Sequence, residues 1–383
     1  MLGRVRIALV HDWVTGMRGG ERVLDVIAQA FPGSDLYTLF YEEGTTSAAI
    51  DSLKVEVSPL GRLPGAKRHY RKFLPLYPWA ADHFRIEGYD LVLSVSHAVA
   101  KNVKVEEGVP HLSYCLTPMR YIWDQIDAYL GRGPRRFLSA PLVKALRRYD
   151  RARSHPGRVD RFVAISRTVG DRIEEHYGRS SSVIFPPVDT ERICPNGRSP
   201  EDFYLLVGGF VPYKHEDIAI EAFRHRKEKL VIVGDGPTRR NLMKGAPSNV
   251  EFTGRLPDEE LVGYFQRCRA LIYPQEEDFG IAAVEAQAAG RPVIALGHGG
   301  ALDTVRPLLT VDSSGDGARS DETEPTGLYF SEQSPEALAR ALDGFLDHEE
   351  EFATATIRRH AEGFSQERFV RELKAEIARL IES

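Results

Sequence analysis

Pro274-Gln-Glu-Glu-Asp-Phe-Gly-Ile-Ala-Ala-Val-Glu-Ala-Gln-Ala-Ala-Gly290 is the stretch on which the reading of this chain turns. The apolar run Ala270–Tyr273 reads as a strand that ends just before it, and Pro292–Leu296 reads as the next strand. Between them a Gly-containing turn opens an Ala-rich helix. A turn feeding a helix leaves unpaired N–H groups and a partial positive charge at the helix mouth, which suits a diphosphate or a sugar hydroxyl. Phe279, Gly280 and Ile281 would supply those amides. Glu277 falls in the turn and Glu285 within the helix, about one and a half turns deeper, where carboxylates accept hydrogen bonds from vicinal diols. Taken alone, the two glutamates are equally well solvated side chains beside a βα turn.

Outward from this stretch the pattern repeats. Short β-rich apolar runs at Val5–Val10, Leu91–Val95, Arg161–Ile165 and Ser182–Phe185 alternate with amphipathic segments, the rhythm of βα units around a parallel sheet. It restarts at Phe203–Val207, Leu230–Val233, Ala270–Tyr273 and Pro292–Leu296. The Pro-rich polar stretch Phe185–Asp202 between the two series reads as an interdomain linker. Helices are predicted over Glu216–Arg226, over Asp258–Arg269 with Asp258 as N-cap, and over Pro335–Leu346 with Ser334 as N-cap. In Gln366–Ile381, Phe369, Leu373, Ile377 and Leu380 share one helical face.

A chain of 383 residues has room for two cores, so two domains are expected. Its hydrophobic content of 42% and charged content of 27% are those of an ordinary globular protein. Val5–Val10 is too short for a leader or a membrane span, which places the protein in the cytoplasm. Cys115, Cys194 and Cys268 lie far apart without a CxxC pair, so neither a disulfide framework nor a zinc site is expected. The net charge of -5 is unevenly spread: residues 1–195 carry 28 Lys/Arg against 22 Asp/Glu, and residues 196–383 carry 22 against 33. An acidic chain without the usual binding motifs excludes nucleic acid as a partner, and no GxGxxG follows the first strand, which disfavours a nicotinamide dehydrogenase.

The segment EDFGIAAVEAQAAGRPVIALGHGGALDTV at 277–305 closely resembles the donor-site signature of the retaining glycosyltransferases of family 4. The likeness extends to GGFVPYKHEDIAIEAF at 208–223, GDGP at 234–237, FTGRLPDEEL at 252–261 and GGERV at 19–23. SHAVAKNV at 96–103 and YCLTPMRYIWD at 114–124 resemble the mannosyltransferase-like branch of surface-polysaccharide synthesis. The resemblance implies an α/β architecture of the GT-B type, two Rossmann-like domains facing a central cleft. The acceptor-binding domain would span residues 1–190 plus a crossover helix at 364–383, and the nucleotide-sugar domain residues 191–363.

It also implies roles. Lys214 would contact the donor diphosphate, Glu277 the hydroxyls of the donor sugar and Glu285 those of the ribose. A lysine beside a helix start is otherwise disfavoured by the helix dipole, so a functional reason is expected at Lys214. Gly19 and Gly20 begin a helix where the missing Cβ lets backbone approach phosphate, although a bare pair of glycines also marks an ordinary turn. His97 follows a strand at the edge where open parallel sheets bind ligands, as a catalytic group or as a loop cap. Arg120 would clamp an anionic group or pair with Asp124 four residues on.

Two positions depart from the family pattern. Leu116 stands where many relatives carry His near the donor sugar, and Gly209 where relatives often place Arg. Lys214 would then carry the diphosphate with helix N-termini, aided by Arg255 or Arg18. The expected activity is metal-independent transfer of a hexose, with GDP-mannose as the first donor to consider and no cofactor. The partners expected are the donor, a glycan or lipid-linked acceptor, and an anionic membrane surface. The last rests on cations and aromatics at Gly61–Trp79 and Arg132–Arg153, among them Arg135, Arg136, Arg147, Arg148 and Arg151, which equally describe solvated helix faces. The competing functions are a GT-B sugar-nucleotide-binding protein that has lost turnover, and a nucleotide-sugar epimerase on the same architecture.

Overall fold

The computed structural model describes residues 5–124, 126, 134–312, 317–319 and 324–382. The chain divides into two compact units: Met1–Pro187 with Glu367–Ser383, and Val188–Gln366.

Among the described residues unit 1 is built on seven parallel strands: β1 (Ile7–His11), β2 (Asp35–Thr38), β3 (Lys54–Val57), β4 (Leu91–Ser96), β5 (His111–Cys115), β6 (Arg161–Ala164) and β7 (Ser181–Val183), in the order β3-β2-β1-β4-β5-β6-β7. β1, β4 and β5 are buried along their whole length, which is why β1 and β4 read as apolar runs; β5, His111-Leu-Ser-Tyr-Cys115, is equally buried but carries polar residues and gave no such run. Helices α1 (Gly19–Ala30), α2 (Ala48–Asp51), α3 (Tyr77–Ala81), α4 (Pro134–Ala152) and α5 (Arg167–Tyr177) complete the unit's first part.

Among the described residues unit 2 has eight strands: β8 (Phe203–Val207), β9 (Lys229–Val233), β10 (Val250–Gly254), β11 (Leu271–Tyr273), β12 (Val293–Leu296), β13 (Pro307–Val311), β14 (Gly317–Arg319) and β15 (Gly327–Phe330), in the order β10-β9-β8-β11-β12-β15-β13-β14. Its helices are α6 (Glu216–Ala222), α7 (Arg239–Met243), α8 (Asp258–Arg267), α9 (Ile281–Ala288), α10 (Ala301–Thr304), α11 (Pro335–His348) and α12 (Thr354–Glu362). In both sheets the strand order reverses beside the first strand of the unit, the topological switch where open α/β sheets bind ligands.

Three local expectations are corrected. The helix begun at Glu216 stops at Ala222, because the Asn249 amide donates to the carbonyls of Phe223, Arg226 and Glu228 and so satisfies the chain where it leaves the helix. The N-cap of α8 is Pro257; Asp258 sits in the first turn with Glu259 and Glu260, where the helix dipole favours acids. The segment Val311–Pro325, whose acidic, Gly/Ser-rich composition reads as a loop, contributes β14, which pairs antiparallel with β13 and covers that strand's open side. Its residues 313–316 and 320–323 lie outside the described residues.

The last helix, α13 (Gln366–Ile381), packs on unit 1 through the face its spacing predicted: Phe369, Leu373 and Ile377 are fully buried. Phe369 meets the ring of Tyr114 edge-on, and Glu376 accepts from Arg161 at 3.2 Å and Ser182 at 3.1 Å. Ser334 accepts from the Ala337 amide and caps α11 as expected. Among the described residues no helix is long and apolar enough to cross a membrane.

Candidate functional site

In unit 1 the chain leaves β1 as His11-Asp12-Trp13. Asp12 is fully buried, and its carboxylate accepts four consecutive main-chain N–H groups: His97 at 2.7 Å, Ala98 at 2.9 Å, Val99 at 2.6 Å and Ala100 at 2.7 Å. A carboxylate so saturated offsets the cost of burying its charge and locks the loop after β4 against β1. Sequence reasoning passed over Asp12, because its partners lie more than eighty residues away.

That lock fixes His97. Its ring meets the Trp13 ring edge-on at 4.2 Å, and its Nδ1 lies 3.3 Å from an Asp12 oxygen. Burial pushes the imidazole down to about 4 and the charges of His11, Arg120 and Arg18 add to this, against the pull of Asp12, so the ring is neutral at pH 7. A neutral, partly exposed imidazole can donate or accept a hydrogen bond from a hydroxyl. His11 donates through Nδ1 to the Val95 carbonyl at 2.8 Å, and its buried Nε2 meets no partner among the described residues.

Gly19 and Gly20 open α1 with Arg18 as N-cap. A Cβ on Gly20 would stand 3.0 Å from Leu116 Cδ1 and 3.5 Å from His11 Cε1, so Leu116 fills the space beside this turn. Glu21, three residues after the N-cap, is buried and shifted upward by that burial, while His11 and the amides at its own position and Arg18 pull the other way. Arg18 donates to the Tyr70 hydroxyl at 3.1 Å. Arg120 is partly buried and acts electrostatically on both His97 and Asp124; the Asp124 carboxylate is hydrogen-bonded at 2.9 Å to His176 Nε2.

In unit 2, β8 runs into Gly208-Gly209-Phe210 and a 3-10 turn at Pro212–Lys214. His215 follows in the left-handed region at φ 53°, the one non-glycine residue so placed among the described residues, and turns the chain into α6. This corner delivers the Lys214 ammonium to the Glu277 carboxylate, in an ion pair whose two side chains both remain partly exposed. Glu277 stands in the turn between β11 and α9, and β11 neighbours β8 in the sheet.

Steric contacts shape that turn. Gly280 is the N-cap of α9 at φ 97°, and a Cβ there would come within 2.8 Å of the Tyr273 hydroxyl. Gly299 and Gly300 press on the same loop: added Cβ atoms would sit 2.5 Å from the Glu277 carbonyl and 2.3 Å from Phe279 Cα. The Gly300 amide donates to the Glu277 carbonyl at 2.7 Å. These two glycines were missed as site residues, since their requirement is a contact made across the sheet. Phe279 buries its ring against Phe364, so only its main chain is placed toward the helix mouth with those of Gly280 and Ile281. Glu285, partly buried, lies five residues beyond the N-cap Gly280, about one and a half turns into α9.

Gly209 is exposed, and its nearest obstacle to a Cβ is the Asp235 carbonyl at 4.0 Å, so nothing steric dictates glycine there. Arg255 is exposed just past β10, at the sheet edge and two strands from β8, so it stands apart from the Lys214–Glu277 pair. Glu216, the first residue of α6, is 2% exposed, its Oε1 has no partner among the described residues, and it lies beside Gly208. Burial pushes its carboxyl up to about 7, with Lys214 opposing and Asp217 adding. An acid at a helix start reads from sequence as a solvated dipole partner, which hid it.

Family models match nearly the whole chain: that of Glycosyltransferase Family 4 over residues 17–192 and that of Glycosyl transferases group 1 over residues 189–361. The chain therefore belongs to the family 4, group 1 glycosyltransferases. Relatives include an O-antigen chain mannosyltransferase C of Escherichia coli, 39% identical over 24% of this chain and 27% of that protein. A D-inositol 3-phosphate glycosyltransferase of Streptomyces bingchenggensis is 29% identical over 57% of this chain and 56% of that protein. The matched stretches span 27% and 56% of these curated relatives, less than two thirds of either. Among solved structures, sucrose-phosphate synthase from Thermosynechococcus elongatus superposes with a TM-score of 0.70 at 17% identity, covering 98% of this chain and 99% of that one. Anabaena HepE in complex with UDP and glucose gives 0.66 at 16% identity, covering 98% and 100%. At such identities the likeness establishes the GT-B fold.

Proposed function

We propose that this protein transfers a hexose from a nucleotide-diphosphate sugar to a glycan or lipid-linked acceptor, with retention at the anomeric carbon and without a metal ion. The observation that carries this reading is the Lys214–Glu277 ion pair beside the N-terminus of α9. An ammonium and a helix mouth together hold a diphosphate, and the carboxylate released from the ammonium accepts sugar hydroxyls. As the bond from the anomeric carbon to the diphosphate oxygen breaks, Lys214 and the amides of Phe279, Gly280 and Ile281 stabilise the charge gathering on the leaving group. The acceptor oxygen bonds to the anomeric carbon on the same face and passes its proton to the departing phosphate. Glu285 would take the ribose hydroxyls and Arg255 would serve the nucleotide end. In unit 1, His97, Arg120 and the turn at Gly19–Gly20 would bind and orient reactant groups, His97 as a neutral hydrogen-bonding ring. A lipid-linked acceptor would be met at the anionic face of a membrane.

GDP-mannose is the first donor to test, on the likeness to the mannosyltransferase. Incubation with a panel of GDP-, UDP- and dTDP-sugars in EDTA should release nucleotide from one of them, GDP-mannose above the rest. If no donor binds or is turned over, the reading fails. The second reading, binding without turnover, is favoured by Leu116, whose apolar side chain occupies the space beside Gly20 and His11; it wins if a donor binds and no acceptor draws nucleotide release.

A further inference from the structure

Asp150, near the end of α4, is fully buried, and the protein itself occupies both of its carboxylate oxygens. Oδ1 accepts from Lys101 Nζ at 2.7 Å and from Asn102 Nδ2 at 3.2 Å; Oδ2 accepts from Trp123 Nε1 at 2.9 Å and from the Tyr177 hydroxyl at 2.8 Å. Lys101 is 1% exposed and directs its other two protons to Asn102 Oδ1 at 2.7 Å and Ser154 Oγ at 2.9 Å. A buried ion pair is a poor way to stabilise a fold, because taking both charges out of water offsets most of their attraction and an apolar pair would serve as well. Its charge-assisted hydrogen bonds instead fix where each partner stands.

The partners come from three places. Lys101 and Asn102 lie in the turn that continues the His97–Ala100 segment, Trp123 lies three residues past Arg120, and Tyr177 ends α5. β4 and β5, from which the first two segments leave, are neighbours in the sheet. The Trp123 ring is gripped from two further sides: it stacks on His176 at 4.6 Å, while Arg147 and Arg151 of α4 lie over it at 5.0 and 5.7 Å. Arg147 Nε also donates to the Ile122 carbonyl at 2.6 Å. These two arginines of the basic stretch thus hold a neighbouring segment; Arg132 and the side chains of Arg71, Lys72, Arg135 and Arg136 lie outside the described residues. Asp12 joins the loop after β1 to the loop after β4, and Asp150 joins that second loop to the one after β5. In series, the two carboxylates connect the segments that carry Gly19–Gly20, His97 and Arg120.

We propose that Asp150 is a positioning residue: through Lys101 and Trp123 it holds the Arg120 segment in fixed register with the His97 loop. Asp150 and Lys101 are sealed from solvent, so they act on a substrate only through the residues they place. Those residues already feel one another, since the Arg120 charge acts on the His97 imidazole together with Asp12, His11 and Arg18. What His97 and Arg120 do in transfer rests on the proposed function, whereas their mutual placement does not.

Imidazole NMR of the full chain, with the His97 signal identified by its loss in His97→Gln, reads that placement without any substrate. Burial holds the His97 ring down to about 4, and Arg120 adds to this. In Asp150→Asn it should titrate at least about one pH unit higher, because a loosened Arg120 segment lifts both influences. Trp123→Phe removes one hydrogen bond and keeps an aromatic ring on His176; it should move His97 the same way by less, and it serves if the first variant folds poorly. Val163→Ala, a buried change in β6 outside the network, lowers stability and should leave His97 where it is. With GDP-mannose, nucleotide release at saturating donor should fall about tenfold in Asp150→Asn, while the dissociation constant of the donor changes less than about twofold. An unmoved His97 in both network variants, or an equal movement in Val163→Ala, overturns the proposal, and so does a loss confined to donor affinity. If the unsubstituted chain turns over no donor, the transfer reading fails while the His97 titration still decides the role of Asp150.

Discussion

Unit 1 closes the carboxylate of Asp12 off from solvent and saturates it with four main-chain N–H groups, whereas unit 2 sets the carboxylate of Glu277 against the Lys214 ammonium with both side chains still partly exposed. The first arrangement has no capacity left for a ligand and acts as scaffold. The second is a pair of partly exposed charged groups, which in the proposed function a diphosphate and a sugar separate, each finding a new partner. The same residue class serves as framework in one Rossmann-like unit and, in the proposed function, as a binding group in the other, and the difference lies in how many of its lone pairs the protein itself consumes.

Removing the scaffold should have the largest effect. Asp12→Ala leaves buried amides unsatisfied and is expected to lower the stability of unit 1 by about 4 kcal/mol in urea unfolding, with Asp12→Asn recovering part through its remaining oxygen. Lys214→Ala should do the reverse: nucleotide release falls about 100- to 1,000-fold while the unfolding midpoint stays nearly unchanged. A Lys214→Ala variant that unfolds early but turns over normally would erase the contrast between the units.

A third test sharpens the comparison through pH. Glu216 is ordinarily acidic near 4.5 but is raised to about 7 in the fold, so the folded chain keeps a proton that the unfolded chain releases. Its contribution is complete below the lower value and is lost as pH climbs from 4.5 to 7. Glu216→Gln should flatten that decline and stabilise unit 2 at pH 8 by about 3 kcal/mol, read by thermal unfolding across pH. His97 works in the opposite sense: lowered to about 4, it favours the fold as pH rises through the interval below its usual 6.5. Smallest should be Gly20→Ala, where gained helix propensity and the 3.0 Å approach to the movable Leu116 methyl nearly cancel, giving a change within about 1 kcal/mol in urea unfolding.

Much of the architecture was legible along the chain. Strands buried on both faces announce themselves as unbroken apolar runs, as in Ile7–His11 and Phe203–Val207. The four-four-three spacing of Phe369, Leu373, Ile377 and Leu380 defined the buried face of α13, and Ser334 before Pro335 marked the start of α11. The turn holding Glu277 and the helix holding Glu285 were likewise visible, because turn and helix signals are local.

By itself, then, the sequence determined the fully apolar strands, the helices marked by caps or spacing, the two successive series of βα units and the residue types gathered near Glu277, since periodicity, capping and turn chemistry act over a few neighbouring residues. Tertiary structure alone decided that Asp12 is consumed by the amides of His97 to Ala100, that Gly299 and Gly300 mould the Glu277 turn, that Glu216 is buried, and that Leu138 and Leu142 remain bare. Each of those outcomes depends on which distant segment arrives to cover or satisfy a group, and burial of a polar or apolar atom is a property of that encounter rather than of the neighbouring sequence.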